Sequence, residues 1–445
     1  MKKRKIKLWV KILFLIIVII FIFKPISNEN IEKNIKKNDI QEEKIVDTLY
    51  NKLKDYGIEK DFLEWIDKNF PGKANKLNEL LSKEEYNIKM WHEATGYSYL
   101  VLNDLYNNLY ENMDNVKVIK SNDISTLSFV GDISLADNWY IMPKYDERGK
   151  KVNGILSETV LKIMTESDLM VANSEFTVSN RGKAMSGKQY TFRAKPERLL
   201  IYEEMGVDLV TLANNHVYDF GRDAFLDMLK AFDDYKIPHI GAGHNLEEAK
   251  KEYYFIINGY KIAFLNGTRA EKYILTPGAT ETKEGVFRCY DPTNMINKIK
   301  EVKEKSDYVI VLMHYGKEGS HNLEKEQIES SKMYIDAGGD IIIGSHAHVL
   351  QGIEFYKDKP IVYNLGDFIF NGNEEETAIF QIQLKENGEM DYYIYPALQK
   401  NMYTNLLTGT DKQKLINKII SWSVNAKIDS NGKITKEWFW WKLKN

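Results

Sequence analysis

The sequence predicts an α/β domain carried behind an N-terminal membrane helix and a small helical region. Three observations predict it. From Leu127 onward short apolar runs alternate with amphipathic segments, the texture of alternating strands and helices. Before that, residues 27–122 show apolar side chains at helical spacing. At the start, Leu8 to Ile26 is almost wholly apolar behind a basic tip.

The N-terminal segment sets the expected compartment. Lys2, Lys3, Arg4, Lys5 and Lys7 precede the apolar run, whose uninterrupted part, Ile12 to Phe23, spans 12 residues. An untilted membrane helix needs about 20 residues, and snorkelling of Lys11 and Lys24 extends the reach. A cleaved secretory signal is the alternative, but Lys24-Pro25-Ile26-Ser27-Asn28-Glu29 offers no small-x-small cleavage site. Residues 1–26 are therefore expected to be a cytoplasmic tip and a single-pass signal anchor, with the rest of the chain outside the cell membrane. The single cysteine, Cys289, excludes an intramolecular disulfide and a thiolate metal cluster. No cysteine stands at the end of the N-terminal apolar run, so a lipoprotein anchor is not expected. The chain has 61 basic and 64 acidic residues, and seven of the basic ones fall within the first 24, so the body is net acidic. That argues against a nucleic-acid partner, which needs a basic face.

Residues 27–122 read as a helical stalk or small helical region, from Ile45, Leu49 and Leu53 and from Tyr99, Leu102, Leu105, Tyr106 and Leu109. His92 has no partners in sequence and reads as a solvated or core histidine. The core domain is expected over 123–374, with strands at Leu127–Val130, Asp168–Ala172, Asp208–Ala213, Lys261–Leu265, Tyr308–Met313, Asp340–Ile343 and Pro360–Asn364. Helices are expected at Pro196–Met205, Ala224–Tyr235, Met295–Lys305 and Lys325–Ala337, the last stopped by Gly338-Gly339. Asn258-Gly259, Asn387-Gly388 and Asn431-Gly432 mark hairpin turns. Residues 375–445 are expected to complete the core with strands Thr377–Leu384, Met390–Tyr395 and Lys433–Trp441 and a helix at Asp411–Ser423.

The residues at the C-terminal end of each apolar run carry the chemistry. Val130 leads to Asp132, Ala172 to Asn173 and Glu175, and Ala213 to Asn214, Asn215, His216 and Asp219. Met313 leads to His314, and Ile343 to Gly344-Ser345-His346-Ala347-His348. In an open α/β sheet the carboxyl ends of the strands share one crevice. Half of the eight histidines sit at such ends. Imidazole with carboxylate or amide oxygen suits a divalent Mn, Zn or Fe ion, and a bridging carboxylate can hold two. His346 and His348 would point to opposite faces of a regular strand, so the chain must turn there, which Gly344 permits. Alone, each piece has a structural reading: a tight turn, an Asn helix cap, a hydrogen-bonded core histidine.

The stretches Phe129-Val130-Gly131-Asp132-Ile133, Ala172-Asn173-Ser174-Glu175, Ala213-Asn214-Asn215-His216-Val217-Tyr218-Asp219-Phe220-Gly221, His314-Tyr315-Gly316-Lys317-Glu318, Gly344-Ser345-His346-Ala347-His348 and Tyr363-Asn364-Leu365-Gly366-Asp367-Phe368 resemble the capsule-synthesis CapA family over residues 127–370. That family is linked to poly-γ-glutamate capsule production, and more distantly resembles calcineurin-like metallophosphoesterases. The resemblance implies a four-layer α-β-β-α sandwich. It implies Asp132 and His348 on a first metal, Glu175 bridging, and Asn215, His314 and His346 on a second. His216 would be the proton donor, oriented by Asp219, with Asn173, Arg193, Asn214 and Glu318 contacting substrate. Two departures stand out. The phosphoesterases have Asp-x-His where this chain has Asp132-Ile133-Ser134, and Asp where it has Glu175.

Three functions are then open: an anchored component of poly-γ-glutamate capsule synthesis or export with a metal hydrolase-type site, a metal-dependent phosphoesterase unrelated to capsule, and a non-catalytic assembly scaffold. The implied cofactor is one or two divalent ions. The implied partners are the membrane, other capsule proteins and an anionic polymer.

Overall fold

The computed structural model describes residues 44–120, 122–271, 274–372 and 374–437. The expected membrane helix lies outside them. Among the described residues no helix is long and apolar enough to cross a membrane. The chain divides into two compact units, one ending at Met90 and the other beginning at Trp91.

The first unit is helical. A helix over 44–53 is followed by Lys60–Asn69 and Lys73–Leu80, and spacing of three and four residues turns Leu49, Leu53, Phe62, Leu63, Ile66 and Leu77 to the inside. Residues from Trp91 onward fall in the second unit. Ser98 caps the helix Tyr99–Tyr106 and donates its hydroxyl to Asp307 at 2.7 Å. Val116–Val118 is a strand that pairs in parallel with Tyr253–Ile257.

The second unit holds the strands that matter to the site. In chain order they are β1 (Ile124–Ile133), β2 (Leu169–Ser174), β3 (Leu209–Thr211), β4 (Tyr260–Thr268), β5 (Tyr308–Tyr315), β6 (Ile341–His346), β7 (Asp367–Ile369), β8 (Glu375–Lys385) and β9 (Met390–Gln399). They divide between two sheets. The ten-stranded sheet runs β9-β8-β1-β2-β3 through its centre, with β7 added in parallel against the end of β1. The seven-stranded sheet has the parallel set β4-β5-β6 at its centre. Because β8 lies antiparallel beside β1, from Ile379 opposite Val130 to Lys385 opposite Ile124, the C-terminal segment completes the sheet that carries Asp132.

Three apolar layers separate four layers of backbone. Phe129, Phe380, Phe264, Ile310 and Leu312 fill the space between the sheets. The outer face of the larger sheet is covered through Val160 and Met164 of the helix Glu158–Glu166 and Phe225, Met228 and Phe232 of Arg222–Asp234. Met295, Ile299 and Val302 of Thr293–Lys303, with Tyr334 and Ile335 of Lys325–Asp336, cover the smaller one. Burying both faces explains why β5 and β6 read as unbroken apolar runs.

Periodicity passes over several pieces. Tyr253–Ile257 forms the hairpin partner of β4 around Asn258-Gly259, and Ile353–Tyr356 pairs with Lys359–Val362. The last expected strand is observed as Lys433–Lys436, and residues from 438 lie outside the described set.

Candidate metal centre

The parallel strands β1, β2, β3, β5 and β6 end at one edge of the sandwich, and six expected ligands meet there. Asp132 closes β1. Its position depends on Gly131, where an added Cβ would fall 1.8 Å from the Gly366 carbonyl oxygen. That close approach clips β7 onto β1 and sets Asp367 opposite Asp132. A register irregularity between Phe129 and Asp132 re-aims the strand end. Asp132 is fully buried. It accepts from Asn173 Nδ2 at 2.8 Å and from the His346 backbone N–H at 2.9 Å.

Glu175 comes directly after β2, its N–H donating to Ile133 O at 2.9 Å. Its Oε2 accepts from Asn173 at 3.2 Å, whereas its buried Oε1 has no hydrogen-bond partner. That orphaned oxygen stands 3.5 Å from His314 Nε2 and 3.9 Å from His216 Nε2. His314, at the end of β5, has Nε2 2.6 Å from Asn215 Oδ1 and Nδ1 2.9 Å from Ser345 Oγ. A neutral ring with Nε2–H donating to Asn215 satisfies both contacts.

The turn that brings His346 and His348 together is made by the histidines themselves. Their φ angles are 93° and 58°, a region in which His, Asn and Asp are over-represented among non-glycine residues, and backbone strain of this kind gathers at functional sites. Gly344, to which sequence assigns the turn, serves close packing instead: a Cβ there would meet the Tyr363 carbonyl oxygen at 1.9 Å. The His314 and His346 rings lie 4.6 Å apart and the His346 and His348 rings 6.1 Å. His346 Nδ1 is buried and unpartnered. His348 Nδ1 is 2.7 Å from Asp367 Oδ1 and 3.9 Å from Asp132 Oδ2.

The remaining expected residues surround this cluster in different ways. His216 Nδ1 is 2.7 Å from Asp219 Oδ2, and the ring packs on Phe192 at 4.4 Å. Asn173 lies beneath the ligands and bonds Asp132, Glu175 and Thr211. Asn214 braces it, donating to Ser174 O at 2.8 Å and accepting from the His216 N–H at 3.0 Å. The bonds of both asparagines are to protein, so their place is under the centre. Arg193 lies over the Phe220 ring at 4.3 Å and donates to the carbonyls of Arg181 and Gly182, holding the loop. Glu318 stands at the mouth, 60% exposed, with Oε1 4.0 Å from His346 Nε2.

Two residues of the site escape sequence reading. Lys188, whose side chain is only 1% exposed, donates to Asp219 Oδ1 at 2.6 Å and to the Asn215 carbonyl. It lies in a loop without periodicity, and no spacing announces it. Asp367 falls within one of the family-like stretches and follows the Pro360–Asn364 run, but sequence reading assigns it no role, and it stands in a separate three-residue strand.

The electrostatics of the cluster are unbalanced. Burial pushes the Asp132 carboxyl up to about 6. Burial, then the Asp132 and Asp367 carboxylates, raises Glu175 well above the usual range. Burial, then neighbouring imidazoles, holds His314 and His346 well below theirs. Burial alone would lower His348, but the Asp367 carboxylate, helped by Asp132 and Glu318, outweighs it and lifts that ring to about 9. Crowded carboxyls that resist ionisation beside imidazoles that resist protonation are what a bound cation reverses.

Donor sets fit such an ion. One ligand atom from each of Asp132, Glu175 and His314 lies within 4.8 Å of the others, and the same holds for Glu175, His346 and His348 and for Asp132, His348 and Asp367. Mixed oxygen and imidazole donors suit borderline divalent metals, and Glu175 Oε1 and His346 Nδ1 are buried without a hydrogen-bond partner.

Fold and site together define a two-sheet α/β protein with a histidine–carboxylate centre competent to hold a divalent metal. The family model described as bacterial capsule synthesis protein PGA_cap matches residues 126–372, and the chain belongs to that family. It is 31% identical over 283 residues to the PGA biosynthesis protein CapA of Bacillus subtilis (strain 168), covering 62% of this chain and 72% of that one. It is 29% identical over 325 residues to the capsule biosynthesis protein CapA of Bacillus anthracis, covering 67% and 77%. Among solved structures, a putative 5'-nucleotidase from Staphylococcus aureus aligns with a TM-score of 0.39 at 13% identity, over 67% of this chain and 59% of that one.

Proposed function

We propose that the protein is a membrane-anchored, extracytoplasmic component of poly-γ-glutamate capsule synthesis or export, built around a divalent-metal hydrolase-type centre with a metallophosphoesterase-like layout. Family membership supports the capsule role. The observation that carries the hydrolase reading is the buried convergence of Asp132, Glu175, His314, His346 and His348 around an orphaned Glu175 oxygen. Anchoring rests on residues 8–26 and their basic tip.

Asp132, Glu175, Asn215, His314, His346 and His348 would hold the ion or ions, Mn, Zn or Fe by donor type. The chemistry such an ion would supply is Lewis-acid polarisation of a phosphoryl or acyl oxygen and a lowered pKa for water. The chain's own contribution is positional. Asn173 fixes the two carboxylates, Asn214 fixes Asn173, and Asp219 holds His216 by Nδ1 so that Nε2 faces the cluster as a proton donor to a leaving group. A net-acidic body does not attract an anionic polymer, so contact with one would be centred on the cation.

The test is elemental analysis of the purified full-length protein, followed by hydrolysis assays on phosphoesters and γ-glutamyl amides. His314→Ala should lower metal content, and His216→Ala should abolish turnover while leaving metal in place. A protein that contains no metal and takes up none would end the hydrolase reading. Turnover of phosphoesters alone would favour a phosphoesterase outside capsule chemistry.

A further inference from the structure

The departure at Ser134 leaves a gap in the first-metal half of the centre. Its hydroxyl is buried and has no hydrogen-bond partner, so nothing at that position replaces an imidazole. A carboxylate arrives from elsewhere. β7 pairs with β1 so that Asp367 lies directly beside Asp132, both side chains at most 1% exposed. Asp367 Oδ2 accepts from Asn371 Nδ2 at 2.6 Å, which fixes the carboxylate plane, and Oδ1 faces His348 Nδ1 at 2.7 Å. The same nitrogen is 3.9 Å from Asp132 Oδ2.

Two carboxylates thus lie side by side in a buried place, with the His348 ring against both. Among the described residues His348 is the only cationic side chain within ion-pair distance of either. Two carboxylate oxygens and an imidazole nitrogen converging in a buried place are a donor set suited to a divalent cation. One donor atom from each of Asp132, His348 and Asp367 falls within 4.8 Å of the other two. The unpartnered, buried Glu175 Oε1 and His346 Nδ1 nearby mark the cluster as awaiting a ligand.

We infer that Asp367 is itself a metal ligand, the carboxylate that takes over from the missing first-motif histidine, so that one ion sits between Asp132, His348 and Asp367. The inference rests on the reading of the centre as metal-binding and adds a ligand to it. It replaces a nitrogen donor by a charged oxygen, which shifts the preference of that position from Zn toward Mn or Mg. The competing role for Asp367 is to orient His348 from outside the coordination shell, and outer-shell substitutions also weaken metal binding. Affinity loss alone therefore does not separate the two roles.

A thiolate at the position does. Metal-free full-length protein and its Asp367→Cys variant are titrated with Co²⁺ and followed by near-ultraviolet absorption. The one native thiol, Cys289, is fully buried in another part of the core. A thiolate-to-cobalt charge-transfer band in Asp367→Cys that the parent lacks is the expected result. Cobalt bound to the variant with the parent's stoichiometry and no such band overturns the inference and leaves the metal centre intact. Failure of the parent to bind cobalt, Mn²⁺ or Zn²⁺ defeats the metal reading itself. If Asp367→Cys does not fold, Asp367→His decides. A ligating residue predicts a rise of roughly tenfold or more in Zn²⁺ over Mn²⁺ preference, and an unchanged ratio counts against ligation.

Discussion

The site contains two acid–histidine pairs of the same length, Asp219–His216 and Asp367–His348, each 2.7 Å between nitrogen and oxygen. Their surroundings differ. Asp219 is saturated, with Lys188 Nζ on one oxygen and the Phe192 N–H and His216 on the other. Asp367 has the Asn371 amide and His348 for donors, and a second carboxylate, Asp132, for a neighbour. A buried carboxylate whose charge is already matched can only orient its histidine. One with an uncompensated neighbour gathers negative charge for a cation. On the proposed reading, the same two residue types would serve proton transfer on one side of the cluster and metal binding on the other.

Paired substitutions should expose that asymmetry most strongly. His216→Ala is expected to reduce turnover by about 10²- to 10⁴-fold with metal content unchanged, whereas His348→Ala is expected to lose turnover and metal together, as read by elemental analysis. Equal metal loss in both would erase the distinction. Next in size is Lys188→Met, which strands the Asp219 charge in the interior and should destabilise the protein by about 3–5 kcal/mol. Pairing it with Asp219→Asn should recover most of the loss in a denaturation series, and independent, additive effects would show that the two groups are not coupled. Gly131→Ala, which pushes β7 off β1, should cost about 1–3 kcal/mol and weaken metal binding through Asp367 while sparing the His216 pair.

The smallest expected effect comes from a histidine without a close acid partner. His239 faces the Ile237 carbonyl at 3.1 Å, and burial lowers its pKa although Asp233 and Glu248 pull the other way. Asp114, Lys236, His244, Lys251 and Glu252 line the same cavity. The folded state keeps this ring neutral while the unfolded chain protonates near pH 6.5. Its stabilising contribution is therefore present at higher pH and lost as pH falls through about 6.5 toward the folded value. Melting between roughly pH 7.5 and 5.5 should fall less for His239→Asn than for the parent.

Much of the centre is legible because each ligand stands just past an apolar run, and the ends of parallel strands share an edge. Asp132, Glu175, Asn215, His314, His346 and His348 all carry that signature, and the structure gathers them. Lys188 does not, and Asp367, although it follows the Pro360–Asn364 run, takes no role from it. Lys188 reaches the site from a loop whose path depends on packing against Asp219. Asp367 stands in a three-residue strand whose approach to β1 needs Gly131 to admit the Gly366 backbone. Neither dependence leaves a periodic trace. The rule that glycine bends chains points to Gly344 for the turn, yet the histidines take the unusual φ, where the ring contacts and the His346 N–H bond to Asp132 hold them. Helical spacing alone does not say which unit residues 91–122 join, because a helix looks the same in sequence whether it stands alone or packs on a sheet.

The positive φ at His346 and His348 restricts how the centre can change by mutation. Asn and Asp share with His a tolerance for that backbone, and branched or bulky side chains do not. Sequence drift at these two positions is thus channelled toward oxygen-bearing replacements. A descendant that gives up an imidazole there would keep a donor atom in place, and any ion held by that donor would be drawn from the harder metals.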